Sequence, residues 1–363
     1  MSDGTGGGDQ SSRRTGDDGQ PSDRMRERVP QSSKRFWVVL DADRRGVAAG
    51  ILAVVFCSMV AVGTLLPTPV VELLTRGDPH ETLFNALVGS TITGVTLVLT
   101  LSQLVLSQEL GAVGDQRDRM EGAMSFRQDA ADAVGVDVAP TEPSAFLRSL
   151  VEATREQAQE LAAAAPDGGD AGDAVDTYVS NLAGNADAVT DQLEGAQFGE
   201  FDVVWAALNY NYSWKIYAGE RILASYGDDL GDEATAALED LLDTLGLFGP
   251  AREHFKTLYF QWELSNLSRT LLYAAVPALA VAISALVFFD PRAHPGATLG
   301  VSHALLVVSA ATTVAVLPFA ILLAYILRIV TVTKRTLSIG PFILRETDRS
   351  GEVDFAESGD GGG

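Results

Sequence analysis

Between Thr82 and Gln108 the chain reads TLFNALVGSTITGVTLVLTLSQLVLSQ, 27 residues without one Asp, Glu, Lys or Arg. A helix of about 20 residues crosses the roughly 30 Å of hydrocarbon in a bilayer. This run is longer than that, so it can tilt or project beyond the lipid. Working outward, three more runs lack those four residue types: Gly46 to Leu66, Thr270 to Phe289 and Val301 to Leu327. Four such runs are hard to place as buried helices of a soluble core. The expected fold class is all-α and integral to the membrane, with four transmembrane helices in two hairpins.

The basic residues orient the spans. Arg26, Arg28, Lys34, Arg35, Arg44 and Arg45 precede the first run, and Arg117, Arg119 and Arg127 follow the second. Arg252, Lys256 and Arg269 precede the third, and Arg328, Lys334, Arg335, Arg345 and Arg349 follow the fourth. The short connections 67–81 and 290–300 carry only Arg76 and Arg292. Lys and Arg accumulate on the cytoplasmic side of membrane proteins, and acids count for little in this rule. Both termini and the long middle segment are therefore expected in the cytoplasm of a multi-pass cell-membrane protein. The expected division is a disordered tail over 1–45, a hairpin over 46–110, a cytoplasmic helical domain over 111–268, a second hairpin over 269–328 and a tail over 329–363. Phe36 to Leu40 is too short to span and is expected at the membrane interface. No cleavable signal is expected, because its apolar core would lie nearer the N-terminus.

Composition narrows the partners. Acids outnumber Lys and Arg 48 to 26, giving a formal charge of −22, yet hydrophobic residues make up 47% of the chain. Mean hydropathy is +0.14. Lys occurs only at Lys34, Lys215, Lys256 and Lys334. Acid-rich, Lys-poor surfaces stay hydrated when salt screening is nearly complete, which points to an extreme halophile. The same balance disfavours nucleic acid, whose phosphates need clustered cations. Cys57, the single cysteine, lies within an apolar run and reads as a packing residue.

The middle segment has helical periodicity. Val175, Tyr178, Val179, Leu182, Ala186, Val189 and Leu193 draw one stripe; Leu147, Leu150, Val151, Ala158 and Leu161 draw another, with Ser144 placed to cap it. A shorter stripe is formed by Leu238, Leu241, Leu242 and Leu245. Breaks are expected at Pro140 and Pro143, at 166–169 and at 246–250. Residues 198–226 predict one long helix dense in aromatics, including Trp205, Tyr210, Tyr212, Trp214 and Tyr217. Residues 251–267 predict a helix running unbroken into the third span. No strand-like alternation stands out, so the segment is expected to be a helical bundle.

The second span carries the sharpest signal. Thr82, Asn85, Gly89, Thr93, Thr96, Thr100, Gln103 and Ser107 recur at intervals of three or four. At 100° per residue they stay within about 40° of one line. Such a stripe does not face lipid, where its groups lose water without gaining partners. Either it is a packing seam, with Thr hydroxyls bonding across helices for roughly 0.6 to 2 kcal/mol each, or it lines a water-filled path within one chain or between several. Thr and Ser can also bond their own helix carbonyls, which lowers the cost of a seam. Gly46 and Gly50 form a weak small-residue pair; Ser302, Ser309, Thr313, Ala320 and Ala324 put small residues on one side of the fourth span. Pro277 and Pro318 should bend the third and fourth spans.

Other chemistry is missing from the pattern. His80, His254, His294 and His303 stand at no zinc-ligand spacing, and neither a phosphate-binding loop nor a nucleophile elbow occurs. No cofactor or metal is expected, and the chain is not expected to be an enzyme. The stretch from Thr100 to Gly111, followed by Arg119 to Arg127, resembles uncharacterised membrane proteins of halophilic archaea. That resemblance covers under a tenth of the chain and implies lineage without mechanism. In outline, two spans on either side of cytoplasmic helices look like the bestrophin channels, whose sequence signatures are not found here. The expected function is a self-associating membrane sensor or scaffold, a homo-oligomer in a lipid bilayer with its ligand unspecified. The alternative is an oligomeric ion channel whose pore the second span lines.

Overall fold

The structure, a computed structural model, describes residues 44–66, 68–109, 111–197 and 201–335. Of the expected tails over 1–45 and 329–363, residues 1–43 and 336–363, with the interfacial Phe36 to Leu40, lie outside the described residues, while residues 44–45 and 329–335 are helical. Ten helices carry the described fold. They are α1 (Arg44–Leu65), α2 (Val70–Thr75), α3 (Pro79–Glu109), α4 (Val113–Val134), α5 (Pro143–Ala164), α6 (Gly169–Leu193), α7 (Phe201–Asn209), α8 (Tyr212–Leu230), α9 (Asp232–Phe288) and α10 (His303–Arg335). A 3-10 turn at Pro291–Ala293 and a two-residue antiparallel pairing, Ala297–Thr298 with Val301–Ser302, fill the α9–α10 connection.

Four helices, α1, α3, α9 and α10, are long and apolar enough to cross a membrane. The second expected hairpin packs on itself, α9 against α10, whereas α1 packs on α10 and α3 mainly on α9 rather than on each other. Ala48 packs on Ala320 and Ala324, while at the other end of α1 Gly63 lies so close to Leu305 that an added Cβ would sit 2.6 Å from its Cδ2. Hence α1 and α10 run antiparallel. Phe84 meets Ala282 and Ala315, and Val98 meets Leu267 and Leu271. That sets α3 antiparallel to α9 and parallel to α10. The small residues of the fourth run lie in these seams, with Ser309 and Ala320 almost wholly buried. Gly46 and Gly50, by contrast, have no side chain or foreign backbone within 4 Å of a Cβ position.

Helices α4 to α8 and the first half of α9 form a second layer with its own core. Leu147, Leu150, Leu161, Val175, Val189, Leu238, Leu241 and Leu245 are all fully buried there. The stripes predicted for α5, α6 and the start of α9 are the faces that meet.

Local chemistry moves several predicted boundaries. Glu142, not Ser144, caps α5: its carboxylate accepts from the Ala145 N–H at 2.8 Å, with Pro143 in the first helical position. α4 stops at Gly135 rather than at the prolines. Gly135 takes φ +73°, and the Val136 N–H reaches the Ala131 carbonyl at 3.0 Å, the left-handed ending that glycine allows.

The aromatic segment is two helices instead of one. Asn211 adopts φ −82°, ψ 62°, and the Tyr212 N–H bonds the Tyr210 carbonyl at 2.9 Å, an inverse γ-turn. Buried partners hold this break open. The Asn185 side chain donates to the Asn209 carbonyl at 3.1 Å, and the Tyr210 and Thr154 hydroxyls meet at 2.6 Å.

The break expected at 246–250 does not occur, because α9 runs through Pro250 as a helix of 57 residues, about 85 Å at 1.5 Å per residue. Packing outweighs the breaker: Leu245, Phe248 and Ala251 are buried, and Gly249 lets Tyr212 lie directly on the helix. A Cβ at Gly249 would stand 2.8 Å from the Tyr212 ring, which is itself held between Phe248 and Arg252. Gly246, one turn earlier, has nothing within 4 Å.

These two glycines should therefore respond oppositely to alanine. Gly246→Ala is expected to stabilise by about 0.5–1 kcal/mol through helix propensity, and Gly249→Ala to destabilise by about 1–3 kcal/mol through overpacking. Thermal unfolding of the purified variants measures both, and equal signs would show that Tyr212 does not rest on this helix.

Candidate functional site

The polar positions of α3 share one geometric property. Asn85, Gly89, Thr93, Thr96, Thr100, Gln103 and Ser107 are all exposed. Phe84, Thr91 and Val98, which the same helix presents to α9 and α10, are buried. On a helical projection the buried line lies almost diametrically opposite the polar one. The pattern thus brings the seven residues onto one face of one helix and leaves that face uncovered by any other part of the described chain. Among the described residues, no other part of the chain forms a seam or water path with this stripe. A hydrogen bond from α3 to another long apolar helix uses a residue off the stripe, Ser102, whose hydroxyl meets that of Ser268 on α9.

The hydroxyls of the stripe satisfy themselves. Thr93, Thr96 and Thr100 each donate to the carbonyl four residues back at 2.9 Å, and Ser107 donates to the Leu104 carbonyl at 2.7 Å. Each keeps an oxygen able to accept a further bond. The amides of Asn85 and Gln103 are too polar to be left to lipid and do not close such local rings; they mark the two ends of the face.

The next helix continues the theme in apolar form. On α4, Val113, Met120 and Met124 point the same way within about 20°, and all three are exposed. Charged Asp115, Arg117, Asp118 and Arg119 surround them. Only the far end of α4, at Phe126, Ala130 and Ala131, reaches the second-layer core.

Around the stripe the fold is held by two buried polar arrangements that the sequence pattern does not single out. Arg44, at the start of α1, grips the buried carboxylate of Glu263 on α9 with both guanidinium nitrogens. It also donates to the Tyr259 hydroxyl at 3.3 Å and lies 4.8 Å over the Tyr325 ring of α10. One residue thereby ties together three helices. A lone acid seven residues ahead of an uncharged run is the signal that could have found Glu263. In the second layer, the buried Lys215 ammonium donates to Asn185 Oδ1 at 2.8 Å and sits over the Tyr210 ring. Burial, together with nearby Tyr210, pushes the Tyr178 hydroxyl well above its ordinary range, so it stays a neutral donor to the Lys215 carbonyl at 3.1 Å. Of the five aromatics noted in this region, Tyr210 and Tyr212 are core residues and Trp205 packs partly buried beside Phe201, whereas Tyr217 is exposed.

At the opposite ends of the four apolar helices, His80 and His294 flank Phe289, with ring centroids 5.7 and 5.3 Å away. His80 also bonds the Leu74 carbonyl. Among the described residues no group of three or more His, Cys, Asp or Glu side chains is arranged to hold a metal ion.

A family described as a family of unknown function (DUF7972) matches residues 10–357, and the chain belongs to it. No curated protein and no solved structure matches the chain.

Removing one partner of a buried ion pair leaves the other charge uncompensated, which typically costs about 3–5 kcal/mol. Glu263→Gln is expected to approach that loss. The double variant Arg44→Met with Glu263→Leu should recover most of it, as read from unfolding in detergent. Additive losses from Arg44→Met and Glu263→Leu would show that the pair is not coupled.

Proposed function

We propose, with membership of that family as the premise, that the chain is a multi-pass membrane protein that associates with copies of itself through the polar face of α3. In this reading the helical layer lies on the cytoplasmic side and acts as a sensor or scaffold, not as an enzyme. One observation carries it: the seven-residue face points directly away from every helix that α3 packs against in its own chain. A second copy is the partner that can offer the same small residues and hydroxyl acceptors in return. The exposed Val113, Met120 and Met124 on α4 support the same contact, since they extend an uncovered face beyond the apolar helix into a charged segment that belongs in water.

The cytoplasmic assignment rests on the Lys and Arg distribution. The ends of α1, α3, α9 and α10 that adjoin the helical layer are the ends rich in Arg, as the rule for short loops requires. An acid-rich, Lys-poor surface supports a cell interior at high salt, hence a halophile.

A channel is the second reading, favoured by Asn85 and Gln103. Both are exposed on the stripe and larger than a close helix seam prefers. Water along an axis ringed by several α3 helices would solvate them.

Mass in detergent and cross-linking test self-association together. The wild-type chain is expected to run as a multiple of its 38.4 kDa, and Gly89→Leu with Thr96→Leu to shift it toward one copy. In a Cys57→Ser background, Thr96→Cys should form a disulfide-linked dimer under mild oxidation where Leu97→Cys, about 100° around the helix, does not. A monomeric wild type rejects the reading. Ion flux through liposomes separates channel from scaffold: flux abolished by Thr96→Leu and Thr100→Leu in a folded protein supports the channel, and no flux across ions and voltages rejects it.

A further inference from the structure

At the ends of the long apolar helices remote from the helical layer, α3, α9 and α10 leave an open cavity of about 400 Å³. Small-molecule sites span roughly 300–1,000 Å³, so the space suits one ring and part of a chain. Phe84 of α3, Val281 and Ala285 of α9, and Val308 and Ala311 of α10 wall its inner part. Phe288, Phe289 and His294 stand at its mouth, where α9 ends. No Asp, Glu, Lys or Arg lines it among the described residues. Residues 1–43 and 336–363 join the described chain at Arg44 and Arg335, the other ends of α1 and α10.

Two polar side chains line this apolar space, and each has bonding capacity that no described residue uses. His294 Nδ1 lies 3.0 Å from the Asp290 carbonyl. A carbonyl only accepts, so the ring N–H is on Nδ1, and in the neutral imidazole Nε2 carries a lone pair. No donor among the described residues reaches Nε2. The ring is held by stacking on Phe289, with centroids 5.3 Å apart and planes at 29°. Ser284 lies one turn inward from Phe288 on α9, about 6 Å along the axis. Hydroxyls elsewhere on the long apolar helices, such as those of Ser58, Ser102 and Thr313, bond a carbonyl of their own helix. That of Ser284 makes no hydrogen bond among the described residues. A few placed polar groups in otherwise apolar walls are what fixes a small molecule's orientation in a binding site.

We propose that this cavity binds a membrane-dissolved phenol, a flat aromatic head whose hydroxyl donates to His294 Nε2 and whose apolar tail runs inward past Val281. Three phenylalanine rings and an imidazole among the lining residues suit a flat ring, by stacking and edge contacts. The head is neutral, because the walls offer no charge to offset one. It bears a hydroxyl, because the free nitrogen of His294 accepts; the Ser284 hydroxyl can donate to an oxygen of the same head. Ser284 and Phe288 are exposed, so the cavity opens sideways and is entered from the bilayer. A phospholipid tail would match the apolar walls and leave both polar groups unanswered. The site rests on the four long helices lying in a bilayer, as in the reading above, and not on self-association.

The test adds 4-decylphenol to the full chain in phosphatidylcholine nanodiscs and follows the unfolding temperature, which should rise saturably. 4-Decylanisole, the methyl ether with no proton to donate, should bind about five- to tenfold more weakly, the worth of one hydrogen bond. Decylbenzene should bind more weakly still, and so should decan-1-ol, which has the hydroxyl without the ring. Ala280→Leu enlarges an exposed lining residue and should abolish the rise. His294→Phe keeps a ring beside Phe289 and loses the acceptor, so the phenol and its ether should then act alike. Where a variant fails to fold, the four compounds on the wild-type chain decide. The proposal is overturned by the absence of a saturable rise, by equal binding of phenol, ether and decylbenzene, or by a rise that persists in folded Ala280→Leu. Equal binding of decan-1-ol overturns the aromatic head, and a phenol preference that survives His294→Phe overturns the role of His294. A single-copy chain that binds the phenol rejects self-association and keeps the site, whereas a chain that alkaline washing strips from the discs rejects the bilayer setting itself.

Discussion

The continuity of α9 governs how the two halves of the molecule sit together. Its first half closes the core of the helical layer with Leu238, Leu241 and Leu245, and its second half packs against α3 and α10 through Leu267, Leu271 and Ala282. Because one helix serves both, neither half can turn without the other. Pro250 and Pro277 lie within it, each removing an amide donor and crowding the carbonyl four residues back. The helix survives Pro250 because its neighbours are buried on the same side as Tyr212 and Phe248. Cohesion from outside the helix replaces what the backbone loses.

The ends of the apolar helices nearest the helical layer concentrate the charged chemistry. Arg44 and Glu263 join α1 to α9 where both enter the apolar region, and Tyr259 and Tyr325 complete the clasp. Arg328 lies over the Phe201 ring of α7, so the helical layer also touches the end of α10 through an arginine. A buried pair of this kind contributes less to net stability than its Coulomb attraction implies, because both groups give up water. Its value lies in fixing register, since Arg44 can meet Glu263 at only one height of α1 against α9.

Much of this architecture was legible in the residues. The uncharged runs located the starts of α1, α3 and α10 to within three residues and the end of α9 to within one, although α9 itself begins far upstream at Asp232, and the 3-4 spacing located the buried faces of α5 and α6. Local capping and turn chemistry were less so. The Glu142 cap was passed over for Ser144 two residues on, and the inverse γ-turn at Asn211 exists because Asn185 and Thr154, distant in sequence, claim the neighbouring groups. The helix through Pro250 was unreadable for the same reason: a breaker in the sequence says nothing of the ring that packs over it. For the candidate face, periodicity showed that the seven α3 residues share a side. Which side faces the chain's own helices depends on contacts that no single-span pattern contains.

The account stands on the polar face of α3 being covered by something other than lipid. The most direct measurement places a nitroxide, one position at a time, along 85–107 in a Cys57→Ser background and records its accessibility to oxygen, which partitions into lipid. Accessibility should fall at Gly89, Thr93, Thr96 and Thr100 and rise at Leu97, Leu101 and Leu104, which are exposed on the flank of the stripe. Oxygen reaching the stripe as freely as those leucines would mean that the face lies bare in the bilayer, and the proposed association would be wrong.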